Sequence, residues 1–375
     1  MHSRSLFALA ASVAVSFTVA ATAVLAHDLP QAAQNSYAVR NLVSDGSVPA
    51  DNLDPNLIDG WGVAFNPNGV VWVNSAVAGK SVLYDGNGVP QSLVVSVPAA
   101  LAGGQGVPTG IAFSSSNDFA VSKGAVTGPS RFIFASLTGS ISGWAPNVDL
   151  TNALIAVDRS GEGASYTGLA IAANGAGNFL FAADVRRGRI DIFDRTFAPA
   201  TLAGNFSDPR LPADFVPFAI HNLQGNLYVS FAKRDPSGTF VRPGKGLGIV
   251  SVFDANGRFL RRLHSDGQLN APWGMAIAPA GFGRFSNRLL VGNFGDGTIQ
   301  AFDVASGRRV GALRTAQGKR LVIPVLWGLA FGNGILDQPT DVLFFAAGPN
   351  LGTGGLYGRI SPALADSAAS AALDE

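Results

Sequence analysis

Five polar residues stand at one recurring place in this chain, just after an apolar β run: Asn74, Ser136, Asp184, Ser230 and Asn293. Three of them, Asn74, Asp184 and Asn293, carry oxygens of the kind a hard cation takes, since Ca²⁺ is held by mixed carboxylate, amide and water oxygens. They fall in the first, third and fifth copies of a repeated segment, so a six-fold ring would set them at alternating positions. A Ca²⁺ ion near the axis of such a ring could polarise an ester or lactone carbonyl. The competing expectation is structural: Asp or Asn at such a corner caps the turn by bonding to nearby backbone amides.

His221 follows the fourth copy's anchor, and Asp184 comes from the copy before it. Together they would make an acid–base couple for hydrolysis, with His221 as the catalytic base. Beyond residue 26 the only other histidines are His27 and His264, which excludes a zinc site built on several imidazoles. His27 at a free N-terminus would take copper only adventitiously. Trp61, Trp273 and Trp327 each precede the small residue of an anchor. Such rings either rim a pocket and stack on a flat or sugar-like ligand, or pack between neighbouring sheets. Lys233 and Arg234 open a Gly- and Pro-bearing insert, residues 233–248, expected to project as a loop that either binds a ligand or is simply solvated. There is no G-x-S-x-G elbow in the strand–turn–helix context it needs, no P-loop, no H-E-x-x-H and no EF-hand loop.

The elements that would carry these residues repeat. The anchors read DGWGVAF (59–65), PTGIAF (108–113), YTGLAI (166–171), PFAI (217–220), PWGMAI (272–277) and WGLAF (327–331). Their small residues, Gly62, Gly110, Gly168, Ala219, Gly274 and Gly328, are spaced by 48, 58, 51, 55 and 54 residues. Each interval holds four short strands, and several third strands end in Asp-Gly or Asn-Gly turns such as YDGNG, which supply the positive φ of tight hairpins. A four-stranded sheet cannot bury both faces alone, whereas radial stacking does so. The expected fold is therefore an all-β, six-bladed β-propeller over residues 37–361. Its last blade would be closed by an N-terminal strand at 37–43, which removes an open edge.

Residues 1–26 read as a secretory signal peptide: Arg4, an apolar stretch from Leu6 to Leu25, then small residues Val24 and Ala26 at the cleavage positions. Residues 27–36 read as a flexible linker and the Ser/Ala-rich 362–375 as a disordered tail. The expectation is a secreted or periplasmic protein with no transmembrane span after cleavage. There are no cysteines, which suits a chain large enough to bury its own core. Loss of Arg4 with the signal leaves basic and acidic side chains equal in number, which argues against a nucleic-acid footprint.

The pattern P-x-G-[ILM]-A-[IF], a strand, then G-x-I-x-[VA]-F-D-x-x-G, resembles the NHL repeat of six-bladed propellers. PWGMAI with LLVGNFGDGTIQAFDVASG (272–307) and YTGLAI with FLFAADVRRGRIDIFD (166–194) are the cleanest copies. From 37 to 361 the chain also resembles a numbered hypothetical family of exported bacterial propellers, through Asn41–Ala50 and the DGWG of Asp59–Gly62. That resemblance implies the fold and no assigned chemistry, and related propellers include lactonases, lyases and pure binding modules. The lactonase likeness implies a further acidic ligand near the first anchor, which Asp59 would supply. The reading is a monomeric propeller that binds a ligand or an extracytoplasmic protein through one face, at Trp61, Trp273, Trp327 and Lys233. Its alternative is a calcium-type lactonase or esterase at the central channel.

Overall fold

Every anchor forms the innermost strand of an antiparallel sheet: Gly60–Phe65, Pro108–Phe113, Tyr166–Ala173, Phe215–Leu223, Pro272–Ile277 and Leu326–Phe331. These six strands stand side by side around one axis, and each sheet runs outward from its inner strand as one blade of a six-bladed propeller. The structure is a computed structural model and describes residues 36–100 and 104–363. The expected signal peptide, most of the linker with His27, and the tail from residue 364 lie outside the described residues.

Apolar side chains alternate between two seams rather than between core and water. In the second strand of blade 1, Val71–Ser75, Val71 and Val73 face blade 6, while Trp72 faces blade 2. Neighbouring residues of a strand point to opposite faces, so a sheet covered on both sides needs apolar residues at every position. That is why the second strands read as unbroken hydrophobic runs. Six core clusters fill the six seams, and a seventh lies on the axis.

The ring closes as the sequence implies. Tyr37–Ser44 pairs antiparallel with Leu356–Pro362 and becomes the fourth strand of blade 6, with Asn52–Leu53 added as a short parallel fifth. Blade 3 departs from the expected four strands and has three: Tyr166–Ala173, Asn178–Asp184 and Arg189–Phe193. Pro199, Pro209 and Pro212 occupy the stretch where a fourth strand would run, and proline has no N–H for a ladder. Blade 2 carries an extra hairpin, Ala120–Lys123 with Val126–Pro129.

The small anchor residues explain how close the inner strands come. A Cβ on Gly62 would collide with the carbonyl oxygen of Thr109, on Gly110 with the amide of Leu169, on Gly168 with Ala219, on Gly274 with the carbonyl of Trp327, and on Gly328 with that of Trp61. Five seams therefore need glycine because the next backbone takes the place of a side chain. The seam between blades 4 and 5 has Ala219 instead.

Candidate functional site

Each inner strand contains a β-bulge that spans the residue before the small one: Trp61, Thr109, Thr167, Phe218, Trp273 and Trp327. A bulge re-aims a side chain. Four of these six are aromatic and meet in the axial cluster. Trp61 stacks on Trp327 with ring centroids 3.7 Å apart, Trp273 stands edge-on to both at 6.3 and 6.1 Å, and Phe218 lies 5.9 Å from Trp327. The three tryptophans are each about 3% exposed. Packed against one another, they plug the axis.

The strands that deliver them enter under backbone strain. Asp59, Ala271 and Val325 have φ of 54°, 43° and 55°, and each lies two residues before a plug tryptophan. A β-branched residue such as Val325 is a true outlier there, at a cost of about 1–3 kcal/mol. The corner holds it: Val325 O accepts from Gly348 N, just as Asp59 O accepts from Ala76 N and Ala271 O from Phe294 N.

Above the plug lies a second apolar layer. Ala76, Leu137, Val185 and Phe294, each following a second strand, belong to the axial cluster. Part of the insert at 233–248 completes this layer, while Pro236, Ser237, Thr239, Arg242, Pro243, Lys245 and Gly246 stay exposed. Phe240 packs edge-on to Phe218 at 5.6 Å, Val241 is buried, and Arg234 Nη1 donates to the carbonyls of Arg186 and Gly238. Packing of Phe240 and Val241 folds this part of the insert back over the mouth.

One carboxylate stands in this apolar mouth. Trp327 Nε1 donates to Asp59 Oδ1 at 3.0 Å, while Asp59 Oδ2 makes no hydrogen bond to any described residue. Asp59 is 8% exposed, and burial pushes its pKa up to about 6 against the pull of the indole N–H. Close by, the buried Nε1 of Trp61 has no partner, whereas Trp273 Nε1 is satisfied by Thr167 O at 2.9 Å. A buried N–H left unpaired costs about 1–3 kcal/mol, so the mouth holds an unspent donor as well as an unspent acceptor.

The other residues singled out by sequence are engaged in separate corners. Asn74 donates its amide to Thr109 O and Gly110 O in the next blade. Asp184 Oδ1 takes the backbone N–H groups of Ser165 and Arg187, Arg187 Nε lies 3.6 Å from Oδ2, and burial pushes the pKa up to about 7. Asn293 Oδ1 takes Asn270 N, and its amide donates to Gln268 O and Thr298 Oγ1. Asn74, Asp184 and Asn293 thus serve three different corners, and no group of three or more His, Cys, Asp or Glu among the described residues could hold a metal ion. Asn74 Oδ1 and Asp184 Oδ2 are both buried without a hydrogen-bond partner. Lys233 is ion-paired with Asp214 at 2.6 Å.

His221 is bonded to neither Asp184 nor any other carboxylate. Its Nε2 lies 3.0 Å from Trp273 O, and because a carbonyl only accepts, Nε2 carries the proton. Burial lowers its pKa to about 4, so the ring is neutral at pH 7. The corresponding inner-strand position is Ala64, Ala112, Ala170, Ala276 and Ala330 in the other blades. The histidine bridges the one seam that lacks the glycine.

With this geometry in place, comparison with known proteins assigns the relationship. The chain is 34% identical over 342 residues to uncharacterized protein R648 of Acanthamoeba polyphaga mimivirus, covering 88% of this chain and 82% of that one. It is equally 34% identical over 340 residues to protein L690 of the same virus, covering 88% and 87%. The chain belongs to the family of these viral proteins. These relatives are viral rather than bacterial, and no family model matches the chain, so its NHL-like repeats stay a resemblance of pattern. At low identity the propeller fold is shared with solved structures. The soluble aldose sugar dehydrogenase of Escherichia coli is 14% identical, with a TM-score of 0.51 over 88% of this chain and all of that one. Likeness at that level is likeness of fold. No helix among the described residues is long and apolar enough to cross a membrane.

Proposed function

We propose that the mouth of the plugged axis is a ligand site for a small, largely apolar molecule carrying a cationic group. Asp59 carries this reading: it is a carboxylate in an apolar layer with one oxygen fixed by Trp327 Nε1 and the other unspent. Ligand sites are mostly apolar with a few placed polar groups, and the mouth has that composition. The strained entries at Asp59, Ala271 and Val325 support it, since strain of this kind gathers at ligand clamps. The N-terminal stretch at 1–26 supports export, so the ligand would be met outside the cytoplasm.

The test titrates phenethylamine and 2-phenylethanol while following tryptophan fluorescence. The amine should bind the natural protein about tenfold tighter than the alcohol, and Asp59→Asn should erase the difference. Equal affinities, or no response to either compound, would overturn the proposal.

A second reading, ester or lactone hydrolysis at the same mouth, is favoured by one observation. Asp59 Oδ2 is unspent, and burial pushes the carboxyl's pKa up to about 6, where it can act as general base at neutral pH. Turnover of 4-nitrophenyl acetate or γ-valerolactone that Asp59→Asn abolishes would support it. The same assay with Ca²⁺ and with EDTA would separate a metal-dependent reaction from one carried by the carboxylate alone. Turnover unchanged in Asp59→Asn would sink it.

A further inference from the structure

At the other end of the inner strands from Asp59, blades 1 and 2 part around a cleft of about 670 Å³. The five tryptophans of the chain divide between two places: three plug the axis, and Trp72 and Trp144 line this cleft. Trp72 stacks on Phe132 at 4.1 Å, Trp144 lies 4.7 Å from Trp72, and Phe113 stands edge-on to Phe132 at 5.4 Å. These rings belong to the packed seam between blades 1 and 2, with Trp72 3% and Trp144 7% exposed, so only a small part of each reaches the cleft floor.

One cation lines the wall. Arg131 Nη1 donates to Ser116 O at 2.9 Å and Ser114 O at 3.5 Å, which fixes the guanidinium, while Nε and Nη2 have no partner among the described residues. No carboxylate of the described residues pairs with Arg131. Its remaining donors can therefore meet an anion in the fork geometry that arginine favours.

The lip comes from a third blade. A loop of blade 6 is clamped onto blade 1: Gly86 N donates to Leu336 O at 2.8 Å, and Asn333 Nδ2 to Asn66 O and Gly69 O at 2.7 and 2.8 Å. Leu336 and the following Asp337 are both left-handed, with φ of 51° and 58°. The clamp holds this strained pair and leaves the Leu336 side chain 52% exposed where it lines the cleft. Sequence gives no reason for an apolar residue there, since a solvated loop would carry a polar one.

We propose that this cleft binds a planar aromatic molecule bearing a carboxylate or similar anion, with its ring against Trp72 and Trp144 and its charge on Arg131. The volume falls within the usual range for small-molecule sites, about 300–1,000 Å³. Apolar contact with the floor and with the exposed Leu336 supplies affinity, and the single arginine supplies the preference for an anion. The site is separate from the axial mouth and does not depend on the reading given to Asp59.

The experiment compares 2-naphthoate with the uncharged 2-naphthalenemethanol by calorimetry and tryptophan quenching at low salt. The natural protein should bind the carboxylate about tenfold tighter than the alcohol. Arg131→Gln should abolish that preference and leave the alcohol's affinity within about twofold, and Leu336→Asp should weaken both ligands about fivefold or more. Asp59→Asn should change neither affinity. No binding, equal affinity in the natural protein, a preference that survives Arg131→Gln, or binding lost in Asp59→Asn but kept in Leu336→Asp would each overturn the assignment. Should Arg131→Gln fail to fold, the ligand comparison in the natural protein and the Leu336 variant still decide it.

Discussion

Trp327 Nε1 donates to Asp59 Oδ1 across 268 positions of sequence, at 3.0 Å, and so ties the last blade's plug residue to the first blade's entry. The bond stabilises either protonation state of the carboxyl, but burial favours the neutral one. Folded, the group titrates at about 6 against an ordinary 3.8. Between those values the folded chain holds a proton that the unfolded chain has released, so this group's contribution to stability falls as pH rises. The loss is on the order of 2–3 kcal/mol and is complete just above pH 6. Asp59→Asn should remove that fall and raise the urea midpoint at pH 7 relative to pH 4.5. An unchanged pH profile would show that Asp59 is solvated in the mouth.

His221 has the opposite sign. Its folded pKa, about 4, lies below the ordinary 6.5, so the unfolded chain takes up a proton first as pH falls. Its contribution is present above about pH 6.5 and is lost down to about pH 4. His221→Gln keeps a donor for Trp273 O without the titration. Acid unfolding of this variant should shift to lower pH, with stability at pH 7 within about 1 kcal/mol of the parent. A variant that unfolds in acid at the same pH as the parent would contradict the neutral bridging role.

Gly62→Ala should cost at least about 2 kcal/mol or prevent folding, since the added methyl would strike the Thr109 carbonyl and the ring has no room to yield. Ala219→Gly, at the equivalent place in blade 4, should cost no more than about 1 kcal/mol. Chemical denaturation of the pair measures the difference. Equal costs would mean that inner-strand approach does not set the glycine requirement.

Phe240→Ser should open the axial mouth without disturbing the ring, because Phe240 belongs to an insert and to no blade. Tryptophan emission should move to the red and acrylamide quenching should rise about twofold, while the thermal transition falls only by the few degrees that a lost, partly buried aromatic implies. Emission and quenching identical to the parent would place the plug beyond the insert's reach.

Much of the architecture was written locally. Anchors at near-regular spacing, continuous apolar second strands and Asp-Gly or Asn-Gly turns each reflect a constraint on a few neighbouring residues, and together they imply six radial sheets. Blade 3 escaped because three prolines deny it a fourth strand while the spacing stays within the usual range. The candidate site was legible only in part. Trp61, Trp273 and Trp327 stood out by position, and Asp59 was implied by analogy, but the bond between Asp59 and Trp327 joins opposite ends of the chain and leaves no local trace. Asn74, Asp184 and Asn293 recur in register, but each bonds its own corner, a partner that the repeat does not name.

The amino-acid order alone determined the blade number, the closure by the N-terminal strand and the glycines at the inner seams, because each follows from short-range periodicity and from what a backbone can approach. Only the assembled ring decided that the tryptophans meet on the axis, that the 233–248 insert covers them, that Asp59 keeps one oxygen unspent, and that Leu336 lines a cleft between two other blades. Those outcomes depend on bulges, left-handed corners and the meeting of segments far apart in sequence, where the direction of a side chain is set by the surrounding packing and not by its neighbours along the chain.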